Sequence, residues 1–323
     1  MPHVLVAGPL HPSGRALLDR APGVTVRYLD ETSEPSLAAN IAGADAVLLR
    51  TQPMSAATVA LADRLRIVSR HGVGYDAVDV GALSERGIAL AICGDVNSTS
   101  VAEHACMMIL AASKRALRAD KAVRAGPWEW RNALQSRDLR GRNFLQIGYG
   151  RIGRHIGGMM AAFGVTIRAY DPFLPAEGWP EGDVTPVADL AQGMAWADIV
   201  SISVPGGDRP LIGQAELAAA RDGVVIVNTA RGGVVEESAL VEALESGKVG
   251  AAGLDVFETE PLPADHPLKC YDQVILSPHI AGLTEGAAER MAAGSARNIL
   301  DFFAGRIDPT LIVNRERLAR VET

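Results

Sequence analysis

The sequence has little of what would place it in several common protein classes. Only three of its 323 residues are cysteines, Cys93, Cys106 and Cys270, and they stand at unrelated spacings. An odd number of unpatterned cysteines is atypical of a disulfide-linked secreted protein, so we expect reduced thiols and a cytoplasmic location. None has a Cys or His neighbour at metal-ligand spacing, and we expect no metal site.

An excess of basic charge and long apolar runs are also missing. Lys and Arg number 31 against 38 Asp and Glu, giving a formal net charge of −7, and the basic residues are not clustered. We therefore expect no nucleic-acid partner. No apolar stretch approaches the ~20 residues of a membrane span. The start, MPHVLVAGPL, is typical of a short strand rather than a signal peptide, so we expect no membrane partner either.

What the sequence does contain is a repeated alternation of short apolar runs with helical patterns. Five runs in the first hundred residues predict strands: HVLVAG, VTVRYL, DAVLLR, RIVSRHG and IALAIC. Six more come later: NFLQIGYG, VTIRAYD, ADIVSISVP, GVVIVNTA, AAGLDVF and QVILSPH. Such alternation is typical of βαβ units around a parallel sheet, and near-continuous apolar strands indicate burial on both faces.

The run GYGRIG has the spacing G-x-G-x-x-G at Gly148, Gly150 and Gly153. A strand candidate precedes it, a helical pattern follows, and a second strand candidate ends at Asp171, 23 residues after Gly148 (171 − 148). Glycines permit close approach of the backbone to a pyrophosphate at a helix N-terminus, and the acid can accept hydrogen bonds from the adenosine ribose. This context predicts a dinucleotide site; a plain strand–helix turn with an exposed aspartate is the alternative.

The residues around the acid favour NAD over NADP. Asp171 would repel a 2′-phosphate, and Pro172 and Phe173 offer no arginine to attract one. Arg168 precedes the acid, and we expect it to point elsewhere. NADP stays open as the alternative.

Together the two series of strands predict an α/β fold with two Rossmann-like, doubly wound parallel-sheet domains. Long helical patterns at 98–126 and 284–305 separate the series, and we expect both helices to cross between the domains. The predicted NAD-binding domain, 99–283, is inserted into a flavodoxin-like substrate-binding domain formed by 1–98 and 284–323.

Three of the later strand candidates end in polar side chains. Arg231 follows GVVIVNTA, Asp255 and Glu260 follow AAGL, and His279 follows QVILSP. Because ligands of open α/β sheets bind beyond the carboxyl ends of the strands, we expect these groups around one crevice. An arginine that binds a carboxylate and a histidine that exchanges protons beside a glutamate predict oxidation of a 2-hydroxy acid. Taken singly, a surface ion pair, a satisfied histidine and a loop glutamate remain the alternatives.

The chain resembles the D-isomer-specific 2-hydroxyacid dehydrogenases over nearly its whole length. The resemblance rests on RHGVGYDAVDV, NSTSVAEHA, GYGRIG with Asp171, VNTARGGVVEESALVEALESGKVGAAGLDVFETEPLP and LSPHIAG. It implies that Arg231 binds the substrate carboxylate and carbonyl, that Glu260 partners the imidazole and that His279 is the acid–base. It further implies contacts to NAD and to the substrate carboxylate: Arg151, Ile152, Thr229 and Asp255 for NAD, and the backbone amides of Val73 and Gly74 for the carboxylate.

The identity of the hydroxy acid depends on residues outside this group. Arg50 follows a strand candidate. By resemblance, phosphoglycerate dehydrogenases have an arginine at this position that reaches the substrate phosphate. Arg70 also resembles a residue of that subgroup. A second cation suits a phosphorylated acid, which predicts oxidation of 3-phosphoglycerate to 3-phosphohydroxypyruvate. Reduction of glyoxylate, hydroxypyruvate or another small 2-oxo acid is the alternative. It also stays open whether Arg50 pairs with a local carboxylate such as Asp45.

The resemblance gives further expectations. Trp128 and Trp130 fall in the region that forms a dimer arm in the family, which predicts a homodimer, with ordinary core anchors as the alternative. We expect His104 to serve packing, and the Gly206-Gly207 segment to border the adenine side.

Two other protein classes with this fold are alternatives to a dehydrogenase. NAD(H)-sensing corepressors keep the same fold and triad, but they have extended tails that this chain does not show. Formate dehydrogenases resemble the family with Gln in place of the glutamate, and Glu260 argues against them. The chain ends with LIVNRERLARVET, and we expect no C-terminal regulatory domain.

Overall fold

Short strands alternate with helices along the chain, as the apolar runs predict. The computed structural model describes residues 1–174, 178–179 and 184–321, with the side chains of 319–321 left aside. The strands are β1 (His3–Ala7), β2 (Thr25–Leu29), β3 (Ala46–Leu49), β4 (Ile67–Arg70), β5 (Ala89–Ala91), β6 (Asn143–Ile147), β7 (Thr166–Tyr170), β8 (Val184–Pro186), β9 (Ile199–Ile202), β10 (Val224–Asn228), β11 (Val249–Leu254) and β12 (Val274–Leu276). Neighbouring strands pair in parallel, which confirms the predicted α/β class.

The helices lie between these strands. They are α1 (Pro12–Asp19), α2 (Glu34–Asn40), α3 (Ala56–Ala60), α4 (Val80–Glu85), α5 (Ser98–Lys114), α6 (Ala116–Ala125), α7 (Arg151–Ala161), α8 (Leu190–Trp196), α9 (Gln214–Ala219), α10 (Glu237–Glu245), α11 (Glu285–Phe303) and α12 (Arg315–Val321). Single 3-10 turns occur at Trp128–Ala133, Pro267–Cys270 and Pro309–Leu311. In the part of the chain that is described, no helix is both long and apolar enough to cross a membrane.

The chain divides into two compact units. Unit 1 consists of Met1–Asn97 and Leu283–Thr323, and unit 2 of Ser98–Gly282. The sheet of unit 1 has the strand order β2-β1-β3-β4-β5, and that of unit 2 has the order β12-β11-β10-β9-β6-β7-β8. The substrate-binding role expected for the first unit stays a prediction.

Unit 1 has a core of apolar strands covered by helices. All four residues of β3 are fully buried, as expected for a parallel strand that has helices on both faces. Hydroxyl or carboxylate side chains cap four of its helices, each accepting a hydrogen bond from the amide three residues on: Ser33, Ser55, Asp79 and Thr284. The longest of these helices, α11, packs against α1 and the sheet of its own unit.

Unit 2 differs from the sequence prediction in one strand and one helix. The short strand β8 was not predicted, because its three residues end in proline and form no apolar run; it lies at the edge of the sheet, where proline is tolerated. The predicted single helix over 98–126 is wrong, because α5 ends at Lys114 and Arg115 adopts a left-handed φ of 55° before α6 begins.

The break between α5 and α6 has a tertiary cause. The carbonyl of Ser113 accepts a hydrogen bond from the amide of Arg137 at 2.9 Å, and that of Lys114 accepts one from the Ser136 hydroxyl at 2.9 Å. The returning chain therefore satisfies carbonyls that another helical turn would otherwise use. None of these partners is a local helix breaker, so periodicity alone could not locate the break.

The glycine-rich turn joins β6 to α7 with very little space between backbones. Gly148 has φ 84°, and a Cβ at this position would lie 2.5 Å from the Ser203 carbonyl oxygen. A Cβ on Gly153 would lie 2.1 Å from the carbonyl oxygen of Gly148. The third glycine, Gly150, precedes the first residue of α7. Only glycine fits the two crowded positions, which lets the helix start directly above the strand.

We expect Gly153→Ala to destabilise unit 2 by more than about 2 kcal/mol, because the added methyl group would overlap the Gly148 carbonyl. The matched control is Gly158→Ala in the same helix, where no neighbouring atom of residues 1–174, 178–179 or 184–321 lies within 4 Å of the added Cβ. There alanine should stabilise the protein by about 0.5–1 kcal/mol. Urea unfolding followed by circular dichroism measures both variants, and equal midpoints would contradict the crowding at Gly153.

Candidate active site

The candidate site is built at the carboxyl ends of three neighbouring strands. Residues Asn228, Leu254 and Leu276 pair in register as the last residues of β10, β11 and β12. Adjacent strands of a sheet lie about 4.8 Å apart, so the segments that follow these residues leave the sheet side by side. Arg231 lies in the first of these segments and His279 in the third.

The side chains of His279 and Glu260 form a direct pair. The imidazole Nδ1 lies 2.8 Å from Glu260 Oε2, while Glu260 Oε1 accepts a hydrogen bond from the Phe257 amide at 3.1 Å. The glutamate is therefore fixed at one oxygen and binds the ring with the other. The His279 side chain is 52% exposed, so its Nε2 is the nitrogen left for proton exchange with a bound molecule.

The backbone of His279 has an uncommon conformation for a residue with a side chain. Its φ is 53°, in the left-handed region, where histidine is more frequent than most non-glycine residues. The amide of His279 donates to the carbonyl of Asp255 at 2.8 Å. Strained backbone of this kind is concentrated at functional sites, where the surroundings impose it.

The buried side chain of Asp255 provides the contacts around the His279 backbone. It is 1% exposed, and its carboxylate accepts hydrogen bonds from the amides of Ile280 at 2.9 Å and Ala281 at 2.8 Å. The hydroxyl of Ser277 donates to the same carboxylate. Hydrogen bonds to a buried charged group are among the stronger ones in proteins, so Asp255 fixes both sides of His279. The predicted contact of Asp255 with nicotinamide stays a prediction.

His104 belongs to this network, so it forms polar contacts in addition to the packing expected of it. Its Nε2 lies 3.0 Å from the Ser277 hydroxyl and 3.7 Å from Asp255 Oδ1. Since the hydroxyl of Ser277 donates to Asp255, its oxygen accepts from His104. The sequence around His104 contained no signal for this role, because the contact spans 173 positions of the chain.

The loop that carries Arg231 is fixed by its own hydrogen bonds. Asn228 accepts from the Ala230 amide at 3.0 Å and donates its side-chain amide to the Arg231 carbonyl at 2.9 Å. A Cβ on the following residue, Gly232, would lie 1.8 Å from the carbonyl oxygen of Phe257.

Phe257 therefore joins the two halves of the site. Its carbonyl packs directly against Gly232, next to Arg231, and its amide donates to Glu260. The backbone of Phe257 therefore contacts both the Arg231 loop and the glutamate of the Glu260–His279 pair. The sequence shows glycine at position 232, but only the tertiary contact shows why a larger residue cannot fit.

The Gly206 segment lies next to Arg231, and the expectation that it borders the adenine side stays a prediction. A Cβ on Gly206 would lie 3.6 Å from both Cβ and Cγ of Arg231. A side chain at this position would contact the aliphatic part of Arg231. The segment follows β9, the strand next to β10, which explains the proximity.

The glycine-rich turn fits a dinucleotide. Within the described residues, no atom outside the turn lies within 4 Å of a Cβ built on Gly150, and no side chain caps the N-terminus of α7. Backbone amides at such a terminus are donors for a pyrophosphate. Arg151 is exposed and Ile152 partly buried in the first turn of the same helix. Thr229 contributes a buried hydroxyl that has no hydrogen-bond partner in the described part of the chain.

Asp171 is held at the end of β7 facing this turn. Its Oδ2 accepts from the amide of Tyr149 at 2.8 Å and its Oδ1 from that of Phe173 at 3.0 Å. Each oxygen retains a second lone pair for a ribose hydroxyl. The guanidinium of Arg168 lies 4.3 Å from the centroid of the Trp196 ring, so Arg168 points elsewhere, as expected.

Comparisons with known proteins agree with this arrangement. The sequence model described as "D-isomer specific 2-hydroxyacid dehydrogenase, NAD binding domain" matches residues 106–281. The chain belongs to this family. Unit 2 contains the family's NAD-binding domain, and NAD is the cofactor that the glycine turn and Asp171 suit.

Individual relatives have been named for two activities. The chain is 38% identical over 317 residues to a D-3-phosphoglycerate dehydrogenase of Mycobacterium leprae, covering 97% of this chain and 59% of that protein. It is 38% identical over 295 residues to a glyoxylate reductase of Thermofilum pendens, covering 88% and 86%. A solved glyoxylate reductase from Paecilomyes thermophila has a TM-score of 0.86 at 29% identity, covering 98% and 99%. The chain thus spans about three fifths of the length of the phosphoglycerate dehydrogenase.

Unit 1 carries a separate group of cations at the carboxyl ends of β3 and β4. The guanidinium of Arg50 donates to the Pro9 carbonyl, and its Nε is buried without a hydrogen-bond partner in the described part of the chain. Burial lowers the pKa of Arg50 from its ordinary value. Asp45 does not form a salt bridge with Arg50; it pairs with Arg64 at 3.0 Å instead. The alternative in which Asp45 neutralises Arg50 is therefore wrong.

His71 lies next to these cations and is neutral. Burial, together with the charges of Arg50 and Arg70, lowers its pKa to about 3. Arg70 donates to the His71 carbonyl at 2.6 Å. Val73 and Gly74 follow in the half-buried bend after β4.

Because the pKa of His71 lies below its ordinary value, the neutral imidazole persists throughout the range from pH 5 to 8. We expect its ring resonance in a proton–carbon NMR titration to stay constant over that range, and His71→Gln assigns the resonance by removing it. A resonance so assigned that titrates with a midpoint near the ordinary histidine value would contradict the burial and the charge of its neighbours.

Proposed function

We propose that the protein is an NAD-dependent D-2-hydroxyacid dehydrogenase. The observation that carries the proposal is the His279–Glu260 pair, 2.8 Å apart, on a strand end next to the Arg231 loop within an NAD-binding domain. A cation for a carboxylate and a proton acceptor that has its own anionic partner are the two groups that hydroxy-acid oxidation requires. Metal assistance is not part of the proposal, and the described residues contain no cluster of metal-ligating side chains.

In this mechanism each residue acts at a stated atom. The guanidinium of Arg231 binds the substrate carboxylate and orients the hydroxyl toward His279. Nε2 of His279 accepts the hydroxyl proton, and the Glu260 carboxylate at Nδ1 stabilises the imidazolium that results. Bound NAD supplies the acceptor for the hydride. In the opposite direction His279 returns its proton to the carbonyl oxygen of a 2-oxo acid.

The other site residues receive roles by the same proposal. Asp171 binds the ribose hydroxyls and the first turn of α7 binds the pyrophosphate. Four further residues contact the cofactor: Arg151, Ile152, Thr229 and Asp255. The backbone amides of Val73 and Gly74 bind the substrate carboxylate. Asp255 has little accessible surface, so its main effect is to position His279 through the loop amides.

For the substrate we propose 3-phosphoglycerate. Relatives named D-3-phosphoglycerate dehydrogenase are 33–38% identical to this chain. Arg50 supports the assignment because its guanidinium is held by a carbonyl and has no carboxylate to neutralise it among the described residues. Glyoxylate, or another small 2-oxo acid, is the second candidate, since the glyoxylate reductase of Thermofilum pendens is equally identical and is covered over 86% of its length.

We further propose a homodimer in the cytoplasm. Helix α6 buries none of its residues, and two large apolar side chains near it are strongly exposed: Trp128 at 62% and Leu134 at 85%. Apolar and aromatic surface of this kind suits a subunit interface. Cys93, Cys106 and Cys270 are free thiols, which suits a reducing compartment.

We expect His279→Ala to lower kcat by about 10²–10⁴-fold, because the group that accepts the hydroxyl proton is removed. NADH binding, followed by protein fluorescence, should stay nearly unchanged, since the glycine turn is intact. Glu260→Gln should lower kcat by a smaller factor, because the imidazolium loses its neighbouring negative charge. Absorbance at 340 nm with NAD and a panel of hydroxy acids measures turnover.

A wild-type protein that binds NADH but turns over no acid would instead indicate an NAD(H)-sensing binding protein.

Arg50→Ala should raise KM for 3-phosphoglycerate by at least about tenfold, because one charge-assisted contact to the phosphate is lost. KM for unphosphorylated hydroxypyruvate should change little. The charge-matched control is Arg27→Ala, which removes an exposed arginine from β2 of the same unit. Equal changes for both substrates in Arg50→Ala would remove the phosphoglycerate assignment while leaving the dehydrogenase intact.

A further inference from the structure

A second cationic site lies in unit 2, at the end of the sheet opposite the candidate active site. It is a cavity of about 350 Å³. Gly223, Val249 and Gln273 line it, and they lie at or just before the first residues of β10, β11 and β12. The Arg231 and His279 segments leave the other end of the same three strands, so the cavity is separate from that site.

Three arginines face this cavity: Arg115, Arg118 and Arg137. No acidic residue lines it in the described part of the chain. Among the described residues, none of these three guanidinium groups forms a salt bridge with a carboxylate; the salt bridges nearby involve other cations. Three cations around one small volume without a counter-charge repel one another.

Arg115 is the most constrained of the three. It is the left-handed residue between α5 and α6, so the break in the helix places its side chain here. Its Nη1 is buried and, among the described residues, has no hydrogen-bond partner. A buried donor of a charged group without a partner is strongly unfavourable unless a ligand completes it. Burial lowers the pKa of Arg115, and the charges of Arg137 and Arg118 lower it further.

Backbone and aromatic contacts hold the other two arginines. Arg137 Nη1 donates to the Gly223 carbonyl at 2.6 Å, and a Cβ on Gly223 would lie 2.6 Å from Arg137 Nη2. Gly223 has φ 75°, so glycine is favoured there on two grounds. The guanidinium of Arg118 lies 5.8 Å from the centroid of the Trp130 ring. Both contacts orient a planar cation without neutralising it.

Nearby cations outside the cavity behave differently. Lys114 pairs with Asp138 at 2.7 Å, Lys121 with Asp272 at 3.0 Å, and Arg124 with Asp120 at 2.8 Å. The hydrogen bond from Lys121 and its charge lower the pKa of Asp272, and the charge of Arg118 lowers this pKa to a lesser extent. The exposed cations near the cavity are therefore paired with carboxylates, whereas the arginines that line the cavity are not.

We propose that this cavity binds a small oxyanion with at least two negative charges, such as a phosphate group. The arginine forks match phosphate oxygens in geometry and charge, and the polar residues Gln135 and Gln273 also line the cavity. Bound anion would give the buried Nη1 of Arg115 its missing acceptor. The proposal concerns residues far along the strands from His279 and stands independently of the reaction.

The test is isothermal titration calorimetry of the full chain with inorganic phosphate, at an ionic strength kept constant with potassium chloride. Wild type should bind phosphate saturably, and Arg115→Gln and Arg137→Gln should each weaken binding by about tenfold or more. The matched control is Arg124→Gln, which removes one positive charge from α6 outside the cavity. Arg50→Ala, measured in parallel, removes any phosphate binding at the proposed substrate site.

Several outcomes would overturn the proposal. Absence of saturable binding in wild type is one, and equal affinity of wild type and both cavity variants is another. Phosphate binding that is lost only in Arg50→Ala would assign it to the substrate site. A changed oligomer mass in Arg137→Gln with unchanged phosphate binding would show that these arginines contact a second copy instead. If Arg115→Gln does not fold by circular dichroism, Arg118→Gln takes its place.

Discussion

The buried carboxylate of Asp255 is the constraint on which the candidate active site depends. It lies at the end of β11, between the strands that lead to Arg231 and His279, and it binds amides on the far side of the histidine. The left-handed backbone of His279 follows from these contacts. With the loop fixed, Glu260 needs only to bind Nδ1 to present the other ring nitrogen. The imidazole that we propose as the acid–base group is thus held in place by backbone hydrogen bonds of the protein itself.

Unit 2 uses the two ends of one parallel sheet differently. At the carboxyl ends of β10, β11 and β12, the Arg231 loop and the His279–Glu260 pair are held by hydrogen bonds. At the amino ends, three arginines surround a cavity without a lining acid in the described part of the chain. The same strands therefore separate two charged regions by their own length, which lets each keep its own electrostatic environment.

Much of the site could be predicted because its parts are local in sequence. The G-x-G-x-x-G spacing followed by Asp171 encodes the turn, and the LSPHIAG run encodes a strand end that presents a histidine. Other features could not be predicted. His104 reaches Ser277 across 173 positions, and Gly206 contacts Arg231 because β9 and β10 are neighbours in the sheet. Pairings of that kind depend on strand order, which no local pattern contains.

The sequence by itself determined which segments become strands, where glycine is required and which residues carry charge, because apolar periodicity and backbone freedom are properties of short stretches. Only the tertiary structure decided that the helix breaks at Arg115, since the carbonyls of Ser113 and Lys114 are taken by residues 136 and 137. It also decided which charges are neutralised. Arg64 takes Asp45 and leaves Arg50 to a carbonyl, a choice set by distance and burial rather than by spacing along the chain.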